Sequence, residues 1–148
     1  MSEAVLDELV SSQSLVTAMA RVIVDDQSTR VGAWTLRDIA AHLATTEKEC
    51  FEPRIHAMAA GQRPRFDWYS NDERDFEGIS LDGALVDWAE TRARLVDYVG
   101  GLSADERSGV GIHSTYGEIT VDEYLKIVLE HDRDHLAALE RLAGELAR

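Results

Sequence analysis

From Val121 to Ala147 the sequence contains no proline, and its apolar residues return every three or four positions. That period fits a helix and not a strand, whose side chains alternate with period two. Thr120 with Glu123 forms a capping box ahead of it, so one long amphipathic helix is predicted here. A rod apolar on one face must bury that face against other helices. The rest of the chain supplies them. Val5, Leu9, Val16, Met19, Ala20 and Ile23 form a stripe that predicts a first helix over residues 2–24. Thr35 with Asp38 opens a second, which carries Ile39, Leu43, Cys50 and Ala57 on one face and closes at Gly61. Pro53 falls within it and predicts a kink or an early end. Ser80 is the N-cap candidate of a third helix, with Leu81, Leu85, Trp88, Leu95 and Val99 on one stripe before Gly100-Gly101. Residues 103–119 form a polar connection with a short hairpin or turn at Ser114–Glu118.

The expected fold is all-α: a four-helix bundle with residues 1–148 as a single domain and a long crossover at 61–79 between the second and third helices. Short loops are expected to join antiparallel neighbours. The crossover's aromatics, Phe66, Trp68, Tyr69 and Phe76, are expected to tuck over the core, ahead of a reading as a substrate lid.

A length of 148 residues supports one hydrophobic core without disulfides or metal to fold it. With 15 basic and 28 acidic residues the net charge is −13, which argues against a nucleic-acid partner and favours cationic ones. The one cysteine, Cys50, forms no internal disulfide, and the opening MSEAVLDELVSS lacks the basic and apolar parts of an export signal. A reducing, cytoplasmic location is therefore expected. No run approaches the roughly 20 apolar residues of a membrane span.

The histidines carry the functional signal. His131-Asp132-Arg133-Asp134-His135 places two imidazoles at i and i+4 on one helix face. With Leu139 at the centre of the apolar stripe, His131 falls about 80° and His135 about 40° to the same side. On the second helix His42 lies about 60° from Ile39. All three border the buried faces. One plus two imidazoles from separate helices match the ligand count of a metal centre with open positions. Inward histidines are also ordinary hydrogen-bonded core residues, and spacing alone leaves both readings open. His56 lies about 21 Å beyond His42, too far to share an ion. His113 falls in the polar connection, and both are expected to be solvated or locally hydrogen-bonded.

Asp132 sits near the apolar centre of the last helix, where an unpaired charge is costly. It is read as a buried cap partner, with support of a ligating imidazole as the alternative. Glu49, about 10 Å along from His42 on the same side, is read as a surface residue ahead of a base at a pocket mouth. Cys50 is read as a small core residue.

WTLRDIAAHL at 34–43 and ITVDEYLKIVLEHDRDHLAALERL at 119–142 resemble the DinB-like (YfiT-like) superfamily of metal-binding four-helix bundles, over nearly the whole chain. The resemblance implies that His42, His131 and His135 hold a divalent metal ion, Zn²⁺ or Ni²⁺ foremost. Some members resemble thiol S-transferases that use bacillithiol or mycothiol. It therefore implies a transferase with a low-molecular-weight thiol cosubstrate and a small-molecule substrate, and also a homodimer. A larger, mycothiol-dependent maleylpyruvate isomerase has an added C-terminal region not expected here, so its reaction is not carried over. A metal-dependent hydrolase and a non-enzymatic metal-binding helical dimer are the alternatives.

Overall fold

The computed structural model describes residues 3–23 and 29–147. Helix α1 spans Glu3–Val22, and the ends expected at residues 2 and 24 lie outside the described residues. Helix α2, Leu36–Thr46, opens on the expected box, in which Thr35 Oγ1 accepts from the Asp38 amide and the Asp38 carboxylate accepts from the Thr35 amide. At Glu47–Phe51 the rod widens into a π-helical turn and resumes as α3, Glu52–Ala59. Pro53 falls in the first turn of α3, where its missing N–H costs least. The irregularity expected at Pro53 is thus a wide turn just ahead of it, and the rod continues.

Strand β1, Arg65–Phe66, follows, then α4, Leu81–Gly100, whose Ser80 cap accepts from the Gly83 amide. A one-turn helix α5, Ala104–Arg107, leads into an antiparallel hairpin of β2, Val110–His113, and β3, Gly117–Thr120. β1 pairs in parallel with β2, making a small three-stranded sheet. The hairpin matches the expectation, while β1 and α5 are too short to show a period. Gly111 lets β2 press onto the bundle, because a Cβ there would stand 2.8 Å from the Met58 sulfur on α3. Helix α6, Val121–Leu146, starts at the Thr120–Glu123 box.

Among the described residues these elements form four long rods: α1, α2–α3, α4 and α6. α1 packs on α4 and α6, and the α2–α3 rod packs on α4 and, through α3, on α6. Consecutive rods one and two therefore lie diagonally, as do α4 and α6, and the connections between them are not the short loops for which antiparallel neighbours were expected. α2 and α4 run side by side in the same direction, since Arg37 donates to the Ile79 carbonyl, Lys48 pairs with Asp87 and Arg94 with Glu52. The chain must travel back along the rod between them, and that accounts for the length of the 61–79 crossover. No described helix is long and apolar enough to cross a membrane.

The apolar core is divided in two. One cluster gathers Leu9, Ile55, Leu95, Leu125 and Val128; the other gathers Val16, Leu43, Leu85, Trp88 and Leu139. Between them lies a polar layer with a residue from each rod: Ser12, Glu47, Arg92 and Asp132, all at most 6% exposed. Arg92 forks to both carboxylates, at 2.7 Å from Glu47 and 2.6 Å from Asp132. Asp132 also accepts from Ser12 Oγ at 2.5 Å, and Glu47 from Trp88 Nε1 at 3.2 Å. Arg92→Met leaves two carboxylates buried without their cation and is expected to cost about 3–5 kcal/mol, measured by urea unfolding. A cost below 1 kcal/mol would show that the layer is not a unit.

Candidate metal centre

His42 projects from α2 toward α6 across the seam between the second and fourth rods. Its Nε2 stands 3.3 Å from His131 Nε2, and one nitrogen from each of His42, His131 and His135 lies within 4.8 Å of the others. The three imidazoles singled out by their spacing are therefore brought together. Neither His56 nor His113 joins them. His56 is exposed and stacks on Tyr98 at 3.7 Å. His113 is buried at the end of β2, and its Nδ1 accepts from the amides of Thr115 and Tyr116. Local hydrogen bonding is thus right for His113, and solvation is not.

The crossover fixes the protonation pattern of His42. Tyr69 donates its hydroxyl proton to Glu49 at 2.9 Å, so its oxygen can only accept from Asn71 Nδ2, 3.1 Å away. Asn71 Nδ2 also donates to Thr46 Oγ1. The amide oxygen of Asn71 consequently faces His42 Nδ1, at 2.6 Å, and accepts its proton. His42 Nε2 is left with a bare lone pair aimed at the other two histidines. Arg74 anchors the far end of this chain on Glu49 at 2.7 Å. Asn71 is 4% exposed and carried no signal in the sequence, because one asparagine in a polar loop has no periodicity to mark it.

Burial depresses all three imidazoles. His131 is held down at about 3 by desolvation and by the neighbouring His135 and His42, and His135 at about 4 by desolvation and His42. His42 is lowered by burial against the opposing hydrogen bond to Asn71. The site is therefore neutral at neutral pH. Just behind it, Glu47 and Asp132 set two carboxylates against the single Arg92.

The cluster opens on a cavity of about 130 Å³ whose walls include His42, His131, Phe51, Tyr69 and Tyr124. The π-helical turn decides which residues of the second rod face it. In unbroken α-helix Glu49 and Pro53 would share the His42 face; one extra residue per turn moves Cys50 and Arg54 there instead. Glu49 accordingly points outward to Arg74 and Tyr69, a surface residue as expected and not a base at the mouth. Cys50 is buried as expected, but its Sγ lies 3.6 Å from the Tyr124 hydroxyl on the cavity wall. Asp132, read as a cap partner, is instead the buried counter-ion of Arg92. Arg92 was legible in principle, since it interrupts the apolar stripe between Trp88 and Leu95.

A helical bundle with three histidines converging beside a cavity defines a class of candidate metal proteins. The sequence profile of the DinB superfamily matches residues 8–139, and the chain belongs to that superfamily. Among solved structures it is similar to YfiT from Bacillus subtilis, described as a probable metal-dependent hydrolase with an unusual four-helix bundle topology. The match has a TM-score of 0.81 at 18% identity and covers 99% of this chain and 87% of that one. Among curated proteins, none matches significantly.

The imidazole environment has a measurable consequence. In the unfolded chain these histidines titrate near 6.5, whereas in the fold His131 and His135 stay neutral down to about 3 and about 4. Between those values the unfolded state binds more protons, so stability rises with pH. Metal-free protein should hold this contribution in full above about pH 6.5 and lose it as pH falls toward 4. The urea midpoint should drop across that window, and His135→Phe should flatten the slope. An equal slope in that variant would refute the neutral assignment.

Proposed function

We propose that this protein is a divalent-metal-dependent enzyme of the thiol S-transferase type, with His42, His131 and His135 holding the ion and the adjoining cavity receiving a small organic electrophile. The observation that carries this reading is the convergence of three neutral imidazole nitrogens within 4.8 Å, two of them, on His42 and His131, from rings that line an apolar cavity. The donor set fits a cation of the Zn²⁺ or Ni²⁺ kind. His42 Nε2 is deprotonated by virtue of its bond to Asn71, and burial keeps the other two rings neutral. When bound, a divalent ion supplies positive charge that lowers the pKa of a thiol or water beside it.

The cavity favours a thiol over water as the activated group. Its lining is mostly aromatic and apolar, which suits the polarisable sulfur and organic body of a thiol better than it suits water. A thiol, whose ordinary pKa is about 8.5, needs only the neighbouring charge to ionise near neutrality. Phe51, Tyr69 and Tyr124 wall the site with aromatic surface that excludes water and stacks on an organic substrate. A second reading, hydrolysis, is favoured by the description of YfiT, and ester or amide cleavage without added thiol would support it.

Metal-loaded protein incubated with a panel of low-molecular-weight thiols and an alkyl halide should form thioether adducts detectable by mass spectrometry. His42→Ala should lower the rate at least about 100-fold, the scale of a lost interaction made in the transition state. No metal-dependent adduct with any thiol would overturn the reading. Asn71→Leu removes the partner of His42 Nδ1 and should weaken metal affinity about 10- to 100-fold in a chelator competition. Unchanged affinity would show that the crossover does not orient the ligand.

A further inference from the structure

Arg54 is an outlier in a chain with a net charge of −13. Among the described residues, Arg21, Arg37, Lys48, Arg74, Arg92 and the other ion-paired cations each meet a carboxylate within 4.0 Å, and Arg54 meets none. The remaining cations without such a partner are exposed on the surface, whereas Arg54 is half-buried and lines the histidine cavity. Its guanidinium carbon lies over the Phe66 ring, 4.4 Å from the centroid. One NH group donates to the Asp67 carbonyl at 2.6 Å and another to the Tyr124 hydroxyl at 3.4 Å. Of the five N–H groups of an arginine, the others are left without a protein partner. The nearby Asp67 carboxylate accepts from Ser114 Oγ and the Trp68 amide through Oδ1 and makes no hydrogen bond to Arg54, although the two charges feel each other at longer range.

His113 adds a second donor of fixed polarity to the same cavity. Backbone amides can only donate, so Nδ1, which receives the amides of Thr115 and Tyr116, must be the acceptor nitrogen. The proton therefore sits on Nε2, which has no protein partner and is not sealed from the cavity that the ring lines. Burial lowers the pKa of this imidazole, so the ring stays neutral and donates without adding charge. The α6 rise from Tyr124, beside Arg54, to His131 is seven residues, or roughly 10 Å.

We propose that Arg54 and the His113 Nε2–H form a carboxylate-binding subsite at the end of the cavity away from the three histidines. A single fork-shaped cation with one neutral donor matches a monoanion in charge and shape. A phosphate dianion would find too little positive charge in so acidic a protein. The ligand is thus a small organic acid with an apolar body, spanning roughly 10 Å between its carboxylate and its reacting atom. Calling it a substrate rests on the proposed function; the subsite itself does not. The carboxylate belongs either to the thiol or to the electrophile.

The test uses two matched pairs long enough for that span, titrated calorimetrically into the metal-loaded full chain: 8-sulfanyloctanoate against 8-sulfanyloctanamide, and 6-phenylhexanoate against 6-phenylhexanamide. The acid of at least one pair should bind about tenfold tighter than its neutral partner, as one charge-assisted hydrogen bond allows. Arg54→Met should abolish that preference and leave the metal content unchanged. Arg54→Lys, which keeps the charge and loses the fork, should retain only part of it and serves if the methionine variant does not fold. The pair that shows the effect identifies the source of the carboxylate. A preference that survives Arg54→Met but disappears in His131→Ala places the acid on the ion and overturns the subsite while sparing the metal reading. Equal binding within both pairs also overturns it. An Arg54-dependent preference in protein that takes up no metal would sustain the subsite and defeat the proposed function.

Discussion

The fork of Arg92 onto Glu47 and Asp132 ties three rods together at the level where the apolar core is interrupted. Buried ion pairs add little net stability, since desolvation offsets much of the attraction. Their geometric demand is strict, however. Glu47 belongs to the π-helical turn of the second rod, and Asp132 lies between His131 and His135 on α6. Fixing both to one guanidinium fixes the height of the second rod against the fourth. His42 on one and the histidine pair on the other meet because that height is set, and a slide of one residue, about 1.5 Å, would part them.

The same constraint explains why the second rod is irregular. An α-helix running unbroken through Glu47 would turn Glu49 and Pro53 to the face that holds His42 and would carry Arg54 away from it. The wide turn buries Glu47 for Arg92 and moves the register forward, so that Cys50 and Arg54 line the cavity. Glu49 is thereby released to hold the crossover through Tyr69 and Arg74, and the crossover returns Asn71 to His42. The π-helical turn and the long crossover are thus parts of one arrangement.

The legible features were those with a period or a cap. Stripes such as Leu85, Trp88 and Leu95 marked the rods, and the Thr35–Asp38 and Thr120–Glu123 boxes marked where two of them begin. The i, i+4 spacing of His131 and His135 and the flank position of His42 pointed to their convergence. The diagonal packing of the rods was not legible, because apolar stripes say which face is buried and not against which partner. Glu49 was placed on the His42 side by a register that assumed 3.6 residues per turn throughout, and one π-helical turn invalidates that assumption. Asn71 is invisible to such arguments, since its part in the site depends on a loop returning across the bundle.

Charge accounts for the division of labour around the cavity. At the histidine end the rings are neutral, and the ionic layer behind them holds two carboxylates to one guanidinium, so the local field favours a cation. At the Arg54 end the one formal charge among the described lining residues is the Arg54 guanidinium, which forms no ion pair, with the Asp67 carboxylate outside the lining. A cavity polarised in this way orients a ligand before any contact is made, with its anionic group toward Arg54 and its reacting end toward the imidazoles. The acidic surface of the chain repels anions at long range, but screening confines that repulsion to about 8 Å at physiological salt. Inside the cavity the nearer charge of Arg54 prevails, and selectivity for a monoanion over a dianion follows from that balance.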